Sequence, residues 1–199
     1  MRLTAEQRKE QIVRLATSMF AKNGYDGLTI RMLALACGIS EPALYKYFPS
    51  KQAIYREVLQ NLKKQLTIDK LESKISKSED IKEILFTLAR HIIDIYGSKP
   101  EFTRLLLFCS LENHDLSGEV FNIIRGPFVR ILSEKLKKLK KSGKIREIDP
   151  EITARCFVGM VMDCSLGMDL WKNKQGRTFT SEKIIRNNIG IYVRGLKIP

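Results

Sequence analysis

What this chain has little of narrows it first. Its four cysteines, Cys37, Cys109, Cys156 and Cys164, form no C-x-x-C and no paired Cys/His spacing. They read as reduced core thiols of a cytoplasmic protein, not as zinc ligands or a disulfide framework. No long hydrophobic run is present: the longest uncharged apolar stretches, Leu105 to Leu111 and Cys156 to Met162, are far too short to span a bilayer. The start, MRLTAEQRKE, is charged and helical in pattern, which excludes a secretory signal there. Strand alternation, internal repeats and low-complexity tracts are all missing. So are a glycine-rich phosphate loop, a nucleophile–base pairing and metal-ligand spacing, so neither an enzyme nor a cofactor is implied. Glu112 and His114 come nearest to an acid/base pair, but no third partner accompanies them.

What is there is basic and helical. The 199 residues are 44% hydrophobic, enough for a real core. Against 22 acidic residues stand 35 Lys+Arg, a net +13 that favours a polyanionic partner. Residues 1–64 hold 11 basic and 5 acidic side chains. A second basic run, Lys135, Lys137, Lys138, Lys140, Lys141, Lys144 and Arg146, reads as a solvated helix end and not as a further DNA or membrane patch.

The most informative stretch is Thr29 to Lys51, TIRMLALACGISEPALYKYFPSK. Leu33, Ala34, Ala36 and Cys37 supply the small or apolar positions of a helix from about Thr29 to Cys37. Gly38 permits the positive φ that a sharp helix-to-helix turn requires. Ser40 is suited to cap the next helix, with Glu41 and Pro42 in its first turn. Leu44 and Phe48, four apart, face inward and leave Glu41, Pro42, Tyr45 and Lys46 facing out. This is a helix-turn-helix pattern.

Around it the chain reads as helices throughout. Thr4 and Gln7 form a capping box for a first helix whose apolar face is Ile12, Leu15, Ala16, Met19 and Phe20, ending at Asn23-Gly24. Ser50 caps a fourth helix through Ile54, Val58 and Leu62. Residues 67–80 read as its frayed end and a loop. Ser78 opens the next helix, Pro100 another, and a long one from about Ser117 should kink or split at Pro127. Asp149-Pro150 caps a helix reaching about Trp171, and a last one runs from roughly Ser181 to Leu196.

Phe20-Ala21-x-x-Gly24-Tyr25, Leu28-Thr29, Ala34-x-x-Cys37-Gly38-Ile39-Ser40 and Leu44-Tyr45-x-Tyr47-Phe48-Pro49-Ser50-Lys51 resemble the TetR family of transcriptional regulators. Cys37 stands where that family usually has Ala or Gly. The resemblance covers roughly residues 8–58, and beyond it only length and helical layout agree. It implies an all-α protein: an N-terminal three-helix helix-turn-helix DNA-binding domain over 1–50, a linking helix at about 51–66, and a C-terminal helical ligand-binding and dimerisation domain within 51–199. It further implies a homodimer on a palindromic double-stranded DNA operator, usually a repressor, released by a small-molecule effector. A DNA-bound scaffold of the same fold without an inducer is the alternative.

Expected DNA contacts follow. Tyr45 can meet a thymine methyl or a phosphate. Tyr47 and Lys51 suit phosphates, and Thr29 can present hydroxyl and helix-end amides to one. Arg31 is a phosphate contact or a guanine reader. Ser40, Glu41, Pro42, Ala43 and Lys46 occupy the outward start and face of the second helix. For an effector, polar groups in apolar surroundings (His91, Asn113, His114, Asp163) together with Phe86, Phe102, Phe108, Phe121, Phe128, Met160 and Trp171 suggest a cavity for a lipophilic compound. For a dimer, Cys156, Gly159, Cys164 and Gly167 place small residues at intervals of about two turns. Ile184, Ile185, Ile189 and Tyr192 offer a matching apolar stripe for an intermolecular four-helix bundle.

Overall fold

The structure, a computed structural model, describes residues 3–112, 116–170 and 180–197, with main chain alone at 110, 117, 166–170 and 181. The all-α expectation holds: among these residues there are eleven helices and no strand. No helix is long and apolar enough to cross a membrane. The chain folds into two compact units, Met1–Leu66 with Glu101–Ile124, and Thr67–Pro100 with Arg125–Pro199.

The first unit holds α1 (Ala5–Gly27), α2 (Ile30–Cys37), α3 (Glu41–Tyr45), α4 (Lys51–Gln65), α7 (Pro100–Leu111) and α8 (Ser117–Ile124). Its first four helices each start on a side-chain cap. Thr4 accepts from the Gln7 N–H in a full capping box, Thr29 from Met32, Ser40 from Ala43 and Ser50 from Ala53. The core is Ile12, Ala16, Phe20, Leu28, Leu33, Leu44, Ile54, Tyr55 and Val58, all buried, at about 1.5–3 kcal/mol for each large side chain removed from water. Leu15 and Met19, expected on the inward face of α1, are only half-buried, and Val13 is buried instead.

The second unit holds α5 (Ile68–Lys77), α6 (Ile81–Ser98), α9 (Gly126–Lys141), α10 (Pro150–Leu170) and α11 (Ser181–Leu196). Helix α6 packs against α5, α10 and α11, and α9 packs against α5 and α10. Two expectations are corrected here. Residues 67–80 are not a frayed end and loop: most of them, Ile68–Lys77, form α5, because Leu71 and Ile75, one turn apart, are buried (each 2% exposed). Lys135 is not on a solvated face. It is 9% exposed, and its ammonium donates to the Ser76 carbonyl at 3.1 Å, at the C-terminal end of α5 where positive charge is favoured. A smaller correction concerns α6, which is capped by Asp80, not Ser78. The long helix does split before Pro127, into α8 and α9.

Candidate nucleic-acid interface

The reader is built from α2, a tight turn and α3. Gly38 closes α2 at φ 68°, ψ 34°. Its N–H returns to the Leu35 carbonyl and that of Ile39 to Ala34, both at 3.0 Å, so the turn satisfies the carbonyls that end α2. Arg8 on α1 also reaches this corner, its guanidinium donating to the Cys37 carbonyl at 3.1 Å. Helix α3 then runs only five residues. Leu44 is fully buried and Phe48 is 4% exposed; these two side chains pin the helix and orient its other face. Pro42, Tyr45 and Lys46 are exposed, Tyr45 to 47%, and Glu41 and Ala43 are half-buried. Lys46 and Tyr47 lie past the end of α3, in the turn leading to Pro49.

Around this face, Thr29 and Arg31 are exposed at the start of α2. The Thr29 hydroxyl accepts from the Met32 N–H at 3.2 Å, and Ser40 does the same for Ala43 at 3.3 Å, which leaves each hydroxyl hydrogen able to donate outward. Lys51 sits with its ammonium 4.4 Å from the centre of the Tyr25 ring, a cation–π contact. Burial lowers its affinity for a proton, while Asp26 and Glu112 nearby act in the opposite direction.

Local sequence patterns did not disclose what supports the reader. Phe20, Tyr25 and Tyr55 form an aromatic triangle, with centroids 4.8–5.9 Å apart. Burial pushes the Tyr55 and Tyr25 phenols up. The available signal for Tyr55 was its place three and four residues before Val58 and Leu59 on the inward side of α4. The Glu112 carboxylate accepts from the Tyr25 N–H at 2.9 Å and the Asp26 N–H at 3.3 Å. His114 lies outside the described residues.

The residues suggested for an effector are distributed between the two units. Phe86, His91, Phe128, Met160 and Asp163 belong to the second, and Phe102, Phe108 and Phe121 to the first; Asn113 and Trp171 lie outside the described residues. Phe86 and His91 come together on a cleft of about 330 Å³ between α5 and α6, along with Lys70, Leu71, Arg90 and Asp94. The His91 ring meets Phe128 edge to face at 6.1 Å. Phe102 and Phe128 are fully buried and Asp163 is exposed. Of the residues suggested for a dimer, Cys156 is exposed, Ile184 and Tyr192 are half-buried, and Ile185 and Ile189 are buried within the second unit. Gly159 makes room for the Arg125 guanidinium, 3.0 Å from where a Cβ would stand. Gly167 lies in α10, and its surroundings are outside what is described. Exposed Ile152 on α10 and Ile191 on α11 were not anticipated. Among the described residues no cluster of His, Cys, Asp and Glu could hold a metal.

Residues 12–58 match the family described as bacterial regulatory proteins, tetR family. The chain is similar to the nucleoid occlusion factor SlmA of Haemophilus influenzae (strain ATCC 51907 / DSM 11121 / KW20 / Rd), 26% identical over 161 residues, covering 78% of this chain and 72% of that protein. Its fold is similar to that of the transcriptional regulator FadR from Bacillus subtilis in complex with stearoyl-CoA (TM-score 0.74, 19% identity, 94% of this chain and 98% of that one). It is similar also to AibR in complex with isovaleryl coenzyme A and operator DNA (TM-score 0.70, 22% identity, 92% and 97%).

Proposed function

Residues 12–58 are a TetR-family DNA-binding domain on a chain with the fold of that family's regulators, and on that premise we propose that this protein is a repressor that binds a palindromic operator as a homodimer and is released by a small lipophilic ligand. The observation that carries the reading is the division of α3: Leu44 and Phe48 are buried, while Pro42, Tyr45 and Lys46 stand outward, with Thr29 and Arg31 at the start of α2 exposed as well. Such a face places base-reading side chains in a groove and phosphate-binding ones at its edges. Two copies would read half-sites about 34 Å apart, or a multiple of that.

The dimer would use the outer face of α10 and α11, where Ile152, Cys156, Ile184, Ile191 and Tyr192 retain exposed area. The effector reading draws support from FadR and AibR, similar in fold, which hold acyl-CoA ligands. A ligand releases DNA only if it binds the two arrangements of the readers unequally. The SlmA relative, a nucleoid occlusion factor, favours a second reading, a DNA-bound scaffold that takes a partner and no inducer.

The test is selection of bound sequences from a random duplex pool with purified protein at about 0.15 M salt. Enrichment of one palindrome is expected, and release of that duplex by acyl-CoA compounds separates repressor from scaffold. Binding that is salt-sensitive and blind to sequence would sink the operator reading.

A further inference from the structure

Helix α1 is interrupted near its end. Gly24 takes φ 74°, ψ 178°, and helix resumes only to Gly27. The N–H groups just past such a break have lost their acceptors one turn back and need others. The chain supplies them from 86 and 87 residues away. Glu112 follows directly on α7, its own N–H still bonded to the Phe108 carbonyl at 2.8 Å. One of its carboxylate oxygens accepts from Tyr25 at 2.9 Å and the other from Asp26 at 3.3 Å. A Cβ at residue 24 would overlap this carboxylate and push it off its seat, and the positive φ itself favours glycine there.

What this carboxylate holds lies next to the DNA-facing residues. Three residues after Asp26 comes Thr29, the cap of α2. The Tyr25 ring, seated by the same turn against Phe20 and Tyr55, carries the Lys51 ammonium at the start of α4. The turn that Glu112 fixes therefore sets both elements that flank α3.

We propose that Glu112 is a positioning residue for DNA recognition, a latch through which any change at the C-terminal end of α7 reaches Thr29 and Lys51 without altering a DNA-contacting side chain. With Glu112 seated, the reader is held in one arrangement. With it withdrawn, two amides lose a charge-assisted acceptor and the turn relaxes. The proposal rests on the DNA-binding reading above.

The test uses the full chain, the selected palindrome, and the variants Glu112→Ala and Glu112→Gln. Glu112→Ala should accelerate hydrogen exchange at the Tyr25 and Asp26 amides and weaken operator binding about ten-fold or more, within the usual range of coupling between sites. The salt slope should stay unchanged, since no phosphate contact is removed. Glu112→Gln retains one acceptor oxygen and should fall between wild type and Glu112→Ala in both readouts, a graded response that loss of folding would not give. Operator affinity equal to wild type in Glu112→Ala overturns the proposal, and so does unchanged exchange at both amides. If selection yields no palindrome, the DNA reading fails and this role with it; a palindrome bound equally by wild type and Glu112→Ala removes this role alone.

Discussion

The reader and the second unit are both helical, but their helices are specified differently. In α1 to α4 every helix begins on a hydroxyl that accepts from the N–H three residues on. In the second unit α5 begins at Thr67, with φ 47° and no side-chain cap, and α9 begins at Arg125, also without one. Helices α6, α10 and α11 have caps, from Asp80, Asp149 and Thr180, so only two of the five start without one. Four helices whose N-terminal ends are each set locally make a defined surface to lay on DNA. Helices held mainly by a buried stripe, as α5 is by Leu71 and Ile75, can shift along a neighbour without breaking a cap. On the proposed function, the difference would suit a reader that keeps its shape and a second unit that responds to an effector.

The largest effect expected is from Phe20→Ala, which removes a fully buried corner of the aromatic triangle. It should cost about 3–5 kcal/mol in urea unfolding. Phe128→Ala, equally buried in the second unit, should cost a similar amount. The contrast between the regions is sharpened if, at a temperature where both variants are folded, only Phe20→Ala loses operator binding, and it breaks if both lose it alike. Next comes Tyr45→Ala, expected to cost about 1–3 kcal/mol at the operator with no change in Tm; a titration that matched wild type would mean that α3 is not the reading element. Lys51→Ala should weaken all duplexes similarly and lower the salt slope by about one.

Smaller effects address the caps themselves. Ser50→Ala should destabilise by about 1 kcal/mol, whereas Thr67→Gly should stabilise by roughly as much, because a left-handed conformation is costly for a β-branched residue. Opposite signs in thermal melts would support the division between locally set and packing-held helices. The smallest effect is with pH. A hydrogen bond from Lys144 holds the Glu79 carboxyl below its usual range, and one from Arg186 does the same for Glu182. A depressed carboxyl contributes above its unfolded pKa and loses that contribution as pH falls through the folded one. Both groups are exposed, so Glu79→Gln should flatten the acid limb of Tm against pH only slightly.

Much of the reader was legible because its signals are local. Gly38, Ser40, Pro42 and the Leu44/Phe48 pair lie within eleven residues, and each acts on its neighbours. Less of the rest was legible, for a physical reason. Helix α5 has two buried side chains in ten residues, too few to stand out among its lysines and serines. Lys135 is one of seven basic residues in a run, and the carbonyl that its ammonium meets is that of Ser76, 59 positions upstream. Glu112 follows a leucine-rich helix, and only the fold brings it to the break at Gly24. Contacts of that range leave no periodic mark, so the pattern of caps and apolar positions predicts helices better than it predicts what braces them.

The distribution of thiols has a practical consequence in reaction kinetics. Cys37 and Cys109 are buried, Cys164 is half-buried, and burial pushes the thiols of Cys37 and Cys164 up, away from the thiolate form that reacts. Cys156 alone of the four is exposed, on the outer face of α10. The unmodified chain thus offers one fast-alkylating position, remote in sequence from the reader. If α10 and α11 meet a second copy, the alkylation rate of Cys156 falls as protein concentration rises, and the concentration at half-protection is the dimer dissociation constant, obtained without a label or a substitution.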